Sequence, residues 1–508
     1  MKIKKILIVF IPLFFIYLNS SSQINFQKIY RVSDNHEGYS IQLTNDGGYI
    51  IAGIHESFGA DPAHIYLIKI DINGDTLWTK LFLDDGGSET FSIIQTNDGG
   101  YALAGGPAFL VMKTNANGDT IWTKCYGGSG SFARDIQQTY DGGYAIVGEQ
   151  PGSVVGNVDI YLVKIDLNGD TLWTRRFEEG FGKSIRQTLD SGFIITGNTG
   201  NWGKAFLIKT DKNGDTLWTK AYGRGMEDAG NVVRLTKDSG YIIAGYTNSL
   251  VTGNKDVYLI KTDLNGDTLW TKVIGGTYDQ IARDIQTTKD SGYIIAGSYS
   301  NNGIDVYLFK TNAMGDTVWT KSYGGSYDDW SNSVKETSDS GFILTGVTQS
   351  FGTAISSIYV IKTDSHGNSG CNPKNTSTNI SSSGTTIFHP PFIVSSGGTI
   401  SGTSFFHFRI YSGCITSTIC TPVNINDVIV EKLFTISPNP SNGNFKIELN
   451  HGIKDGKIMV FNILGEKLFE ETLYESIKEI NFENILSGIY FITMIDGEKI
   501  FNQKTIIQ

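Results

Sequence analysis

The sequence predicts an all-β protein: a seven-bladed β-propeller closed by its N-terminal strand, then a Ser/Thr/Gly-rich linker and a small C-terminal β-sandwich. Three observations carry the prediction. The signature Asp-(Gly/Ser)-Gly-(Tyr/Phe) begins at Asp46, Asp98, Asp141, Asp190, Asp238, Asp290 and Asp339, a spacing of 43 to 52 residues that suits four-stranded blades. Each unit divides at turn residues into short strands, a to d. The seventh unit lacks strand d, and a matching strand stands near the N-terminus. Composition agrees, because 60 glycines, 10 prolines and 12 % aromatics in 508 residues fit tight turns between short aromatic-rich strands.

The third unit shows the elements in order. Arg134 to Thr139 reads as strand a, Tyr144 to Gly148 as b, Asp159 to Asp166 as c and Thr171 to Phe177 as d. Asp141-Gly142-Gly143 turns a into b, and Asn168-Gly169-Asp170 turns c into d; glycine supplies the positive φ of such hairpins. The seventh unit ends at Ile361-Lys362-Thr363-Asp364 without a tryptophan strand. Phe26-Gln27-Lys28-Ile29-Tyr30 matches Trp122-Thr123-Lys124-Cys125-Tyr126, with Phe26 in the tryptophan's place, and is predicted to complete the last blade. Trp78, Trp122, Trp173, Trp218, Trp270 and Trp319 recur on strand d, which predicts packing at blade interfaces. The strand c lysines recur likewise and read as structural cations.

The run Tyr258 to Trp270, with Asp263, Gly266 and Trp270, is similar to the blade repeats of pyrroloquinoline-quinone-type propellers. The similarity covers Gln23 to about Asp364 and implies blade packing. Seven units stand here against the eight usual in that family, and the adjacent cysteine pair of its quinone dehydrogenases is absent.

A net charge of −10, spread along the chain, leaves no basic footprint for nucleic acid. The c–d turns Asp71, Asn73, Asp75 and Asp263, Asn265, Asp267 place oxygen ligands at alternate positions as in part of a calcium loop. The twelve-residue loop and its closing glutamate are absent, so ordinary Asx turns are expected and no cofactor is assigned, with calcium as the alternative.

Function in an array is expected where the copies differ, in the d–a and b–c loops that share one face of the ring. That face offers Trp202, Tyr278, Asp279, Tyr327, Asp328, Asp329 and Trp330 as binding residues, with His36 and His55 as the histidines near them. No nucleophile elbow, P-loop or zinc-protease helix accompanies them.

Residues 1–22 carry Lys2, Lys4 and Lys5, an apolar run from Ile6 to Leu18 and a small-residue end, which predicts a secretory signal peptide. The propeller is assigned to 23–364, a linker with a few strands to 365–430 and a C-terminal domain to 431–508. The linker reads as a flexible spacer in which Cys371 pairs with Cys414 or Cys420, the alternatives being open. The last segment alternates as about seven strands of an Ig-like sandwich.

Three of its pieces, Ser437 to Phe445 with Pro438, Asn439, Pro440 and Gly443, Val460 to Lys467 with Gly465, and Leu486 to Ile492 with Gly488 and Tyr490, resemble the type A C-terminal sorting domain of the type IX secretion system. That resemblance implies a Bacteroidota-type cell, outer-membrane translocation and a secreted or surface-attached product. It also implies the secretion machinery and its C-terminal signal peptidase as partners, with attachment to surface lipopolysaccharide after processing. The function expected is non-catalytic binding of a polymer or protein by the loop face. A polysaccharide-active or quinone-type enzyme and a structural surface-layer component are the alternatives.

Overall fold

A computed structural model describes residues 24–370 except short loop segments (32–34, 57–62, 84–86, 153, 155, 201–202, 224–226, 249–253, 302 and 352–355), short strands within 374–420, and the strands within 434–507. All described regular elements are strands, and no helix is long and apolar enough to cross a membrane. The predicted signal peptide, Cys371 and Cys414 lie outside the described residues. The chain divides into two compact units, Met1–Pro422 and Val423–Gln508.

In the first unit the strands form seven antiparallel meanders. Blade 1 runs Asn35–Leu43, Tyr49–Glu56, His64–Ile70 and Thr76–Leu83, and blade 6 runs Gln280–Thr287, Tyr293–Ser300, Ile304–Thr311 and Thr317–Tyr323. Blade 7 takes Asp329–Glu336, Phe342–Thr348 and Ser357–Thr363 from the end of the array and Phe26–Arg31 from its beginning. Phe26 stands opposite Lys362 and Tyr30 opposite Ile358, the pairing expected for the closing strand. Each strand a packs on the strands a of its two neighbours, and that of blade 1 packs on that of blade 7, so the innermost strands form a cycle.

A repeated clasp joins the blades. In each c–d turn the glycine has φ between 75° and 79° and lies under the ring on strand d of the preceding blade. A Cβ on Gly214 would stand 2.5 Å from Trp173, and one on Gly74 would stand 2.7 Å from Phe26. Both φ and space therefore require glycine. Two residues after the ring a cation reaches the turn's aspartate: Lys28 to Asp75 at 2.8 Å, Lys80 to Asp119 at 2.9 Å, Lys124 to Asp170 at 2.7 Å and Arg175 to Asp215 at 2.9 Å. Two residues further, Tyr30, Tyr126, Tyr222 and Tyr323 donate their hydroxyls to the turn glycine's carbonyl at 2.5 to 2.7 Å. The tryptophans also meet the first aromatic of the next strand b, as Trp173 does Phe193 at 5.8 Å between centroids. Phe26, Lys28 and Tyr30 repeat all three grips of the clasp on blade 1.

A second ion pair ties each blade to itself. The buried strand c lysine reaches the aspartate of the a–b turn, as Lys69 does Asp46 at 2.8 Å and Lys310 does Asp290 at 2.9 Å. Burial works to raise these carboxyls, but hydrogen bonds from the lysine, a threonine and a glycine amide outweigh it and hold Asp46 and Asp290 at about 2.

The segment expected to be a flexible spacer is a belt. Lys374–Asn375 adds a fifth antiparallel strand to blade 6, Asn379–Ser382 to blade 5, Thr386–Phe388 to blade 4 and Val394–Ser395 to blade 3. Arg409–Tyr411 then pairs with blade 1, and Ile415–Cys420 pairs with the closing strand of blade 7. The belt thus travels the rim against the order of the blades and covers edges that would otherwise template aggregation. Short polar strands with few side-chain signals conceal such a role, since backbone hydrogen bonds alone make the pairing.

Among the described residues the second unit has seven strands in two sheets. One contains Phe434–Ser437, Asn444–Leu449 and Ile477–Asn481; the other contains Gly456–Asn462, Lys467–Leu473, Gly488–Asp496 and Lys499–Ile507. Ile447, Ile458, Val460 and Ile492 are fully buried in this unit.

Two predictions follow from the clasp and the turn pairs. Phe26→Ala removes the ring that seats blade 7 on blade 1 and should cost about 3–5 kcal/mol, read as a lowered denaturation midpoint by tryptophan fluorescence. The a–b turn carboxyls have folded values below their unfolded ones, so their contribution is complete above the ordinary carboxylate range near pH 4 and is lost as pH falls through about 2. Unfolding free energy should drop across that window, and Asp290→Asn should flatten the drop.

Candidate functional site

The strongest departure from repetition lies on the propeller axis. Every strand a carries a β-bulge at an equivalent place, at Tyr39, Phe91, Arg134, Lys183, Asn231, Arg283 and Asn332 in blades 1 to 7. A bulge inserts one unpaired residue and re-aims its side chain. Here all seven aim into one axial cavity of about 100 Å³. The bulge position is therefore constant in geometry and variable in chemistry. It lies near the start of strand a, close behind the d–a loops.

The ring has two sectors. In one, Tyr39 meets Phe91 edge to face at 5.4 Å, Phe91 meets Phe132 at 6.4 Å, and the Arg134 guanidinium lies 4.3 Å from the Phe91 centroid. Arg134 is also paired with Glu149. In the other sector Lys183 donates to the Asn231 side-chain oxygen at 2.9 Å, and the Asn231 amide donates to the Ala282 carbonyl at 2.8 Å. Arg283 donates to the Asn332 oxygen at 3.4 Å, and the Asn332 amide donates to the Gly38 carbonyl at 2.8 Å. Each cation is thus oriented by a neutral amide that is itself anchored to the next blade.

Deeper in the cavity the charges are matched. Asp135 accepts from Arg186 at 2.6 Å, from the hydroxyls of Ser92 and Ser184 at 3.1 and 2.9 Å, and from the Ile185 amide at 3.0 Å. Asp284 accepts from Arg234 at 2.5 Å and from Lys335 at 3.2 Å. Burial works to raise the Asp284 carboxyl, yet Lys335 and Arg234 hold it below the usual range. Burial pushes the Lys183 ammonium down to about 8; Glu149 opposes the shift, while Arg134, Lys255 and Arg283 add to it. Arg234 is lowered to about 10 by burial and by Arg186, against Asp284 and Asp135.

The residues expected to bind are placed differently. Tyr278 and Tyr327 are exposed on the loop side, at 42 % and 64 %. Asp279 accepts the Lys255 amide at 2.8 Å, Asp328 accepts the Ile304 amide at 2.9 Å, and buried Asp329 accepts the Gly325 amide and the Ser350 hydroxyl. These three carboxylates brace loops. Trp330 is half-buried and lies two residues before the Asn332 bulge in strand a. Trp202 lies outside the described residues.

His36 and His55 are corrected in position. They sit in strands a and b, not on an open loop face; both are buried, and His55 Nδ1 lies 2.9 Å from His36 Nε2. Cross-strand pairing brings them together and takes them out of solvent.

In the turns weighed for calcium, Asp71 Oδ1 accepts the amides of Asn73 and Asp75 at 2.9 and 2.8 Å, and Asp263 Oδ1 accepts those of Asn265 and Asp267 at 2.9 and 2.8 Å. Asp75 and Asp267 are held by Lys28 and Lys220. Among the described residues no three acidic, histidine or cysteine side chains group as a metal site.

The second unit supplies a different kind of signal. Residues 435–508 match the family of secretion system C-terminal sorting domains. This segment is a type IX sorting domain. In the sorting domain Gly488 opens a strand and Tyr490 is buried between Asn462 and Thr505, while Pro438, Asn439, Pro440, Gly443 and Gly465 lie outside the described residues. The sorting domain indicates secretion of the chain to the cell surface.

No curated protein matches this sequence. Among solved structures, a protein of unknown function from Bacteroides caccae aligns at 12 % identity and a TM-score of 0.36, over 59 % of this chain and 98 % of that one. The extracellular domain of a putative one-component system from B. thetaiotaomicron aligns at 12 % identity and a TM-score of 0.30, over 93 % of this chain and 68 % of that one. A fungal alcohol oxidase in complex with copper aligns at 9 % identity and a TM-score of 0.42, over 96 % of this chain and 100 % of that one.

The charge pattern around Lys183 can be checked directly. Because Glu149 raises the Lys183 value, Glu149→Gln should move its titration from about 8 to lower pH, observable by NMR of labelled lysine amines; an unchanged midpoint would count against the coupling.

Proposed function

We propose that this chain is an exported, non-catalytic binding protein whose propeller takes a polymer or protein ligand at the mouth of the axial channel and across the surrounding loops. The single observation that supports this is the set of seven strand a bulges. They sit at one structural position, yet carry tyrosine, phenylalanine, two arginines, lysine and two asparagines. A packing position in an array repeats its chemistry, as the strand d rings do. A position that keeps its geometry while changing its chemistry suits recognition.

The sorting domain supplies delivery in this reading. Its removal between Pro422 and Thr435 by the C-terminal signal peptidase would leave propeller and belt whole, free or joined to surface lipopolysaccharide.

The full chain should bind at least one member of a panel of bacterial-envelope and host polysaccharides and proteins. Trp330→Ala and Tyr327→Ala should each weaken that binding roughly tenfold or more, a loss of about 1.4 kcal/mol, without lowering the thermal midpoint. An empty panel, or binding indifferent to both substitutions, would sink the reading.

A further inference from the structure

The matched and unmatched charges of the channel are separated by depth, and that separation has chemical content. Six cations line the cavity, Arg134, Lys183, Arg186, Arg234, Arg283 and Lys335, in a chain whose net charge is −10. Asp135 and Asp284 line it with them, Glu149 reaches Arg134 from behind, and Glu37 lies near enough to act on Arg283 without pairing with it. Among the described residues neither Lys183 nor Arg283 makes an ion pair; each is held by an asparagine oxygen, which orients a cation without neutralising it. The Nε of Arg234 is buried and has no hydrogen-bond partner.

An unpaired buried donor is costly, and like charges in a confined, poorly solvated space repel more strongly than in water. A bound anion answers both.

We infer that the bulge ring seats one oxyanion, a carboxylate, sulfate or phosphate group, between Lys183 and Arg283 with Arg234 deeper in the same cavity; this rests on the proposal that the channel mouth is the binding site. Lys183 supplies rotatable ammonium donors and Arg283 a planar fork, a pairing that accommodates either flat or tetrahedral oxygens. An anion beside Lys183 would raise its lowered value, as Glu149 already does in part.

The source of the oxyanion is either a free inorganic ion or the acid group of a charged sugar. The neighbouring sector decides for the sugar. Tyr39 and Phe91 line the cavity beside the cations, meeting edge to face with the Arg134 guanidinium over Phe91, and give it an apolar side against which a pyranose packs while its acid group reaches the seat.

Titration calorimetry on the full chain distinguishes these sources, using galacturonate, galactose, sodium sulfate and sodium phosphate as probes. Galacturonate should bind at one site per chain, and galactose at least tenfold more weakly. Lys183→Met and Arg283→Gln should each weaken galacturonate tenfold or more. Lys183→Met also removes a buried charge, so the ligand-free thermal midpoint should hold or rise while the ligand-induced shift disappears, which separates loss of the seat from loss of the fold.

Sulfate or phosphate binding tighter than galacturonate would keep the seat and overturn the sugar. Failure of all the anions to bind, or binding untouched by both substitutions, would overturn the seat. Polymer binding that persists in Lys183→Met would leave the proposed function standing without the seat. An empty polymer panel alongside galacturonate binding would do the reverse.

Discussion

The structure depends on the clasp between a strand d ring and the glycine of the next blade's turn. A blade is a small twisted sheet with two apolar faces and cannot stand alone. The clasp registers each blade against the next in three chemically distinct ways: ring on glycine, in six copies cation on aspartate, and, in four copies, hydroxyl on carbonyl. The glycine is indispensable because both its φ and the space over it are taken. Where the hydroxyl is missing, phenylalanine or isoleucine fills the place, as Phe82, Phe177 and Ile274 do, so burial persists when the polar grip does not.

Repetition made this part of the fold legible. Phe26, Lys28 and Tyr30 carry the same offsets as the tryptophan, lysine and tyrosine of a full strand, and the structure pairs them with the last blade as those offsets require. The belt was illegible for the opposite reason. Its strands are two to six residues long and are joined to the blades by main-chain hydrogen bonds, which leave no side-chain pattern to read. His36 and His55 misled because their distance from the turn signature resembled that of loop residues; strands a and b of blade 1 extend further than a minimal blade needs.

The channel was half legible. That copies of a repeat reveal function where they disagree is a sound rule, and it pointed at the loops because loops vary in length. Variation at constant length is harder to see. Arg134, Lys183 and Arg283 sit within strands whose neighbours alternate regularly, and the one-residue bulge that turns them to the axis leaves no signature in composition. Once the register is known, the same alignment that predicts the blades displays the seven bulge residues side by side. A uniform scaffold thus carries a non-uniform lining, with rings on one side and cations on the other.

The direction of the belt sets how the propeller is tethered. Its last strand, Ile415–Cys420, lies against Phe26–Arg31, so the strand that closes the ring is gripped on both edges, by Ser357–Thr363 inside and by the belt outside. The chain leaves the propeller from this strand toward the sorting domain. Tension on that connection therefore falls first on the ladder beside the ring's seam and next on Arg409–Tyr411 against blade 1, while the seam's inner ladder carries none of it. A propeller sewn in this way keeps its closure off the path of any pull on its tail.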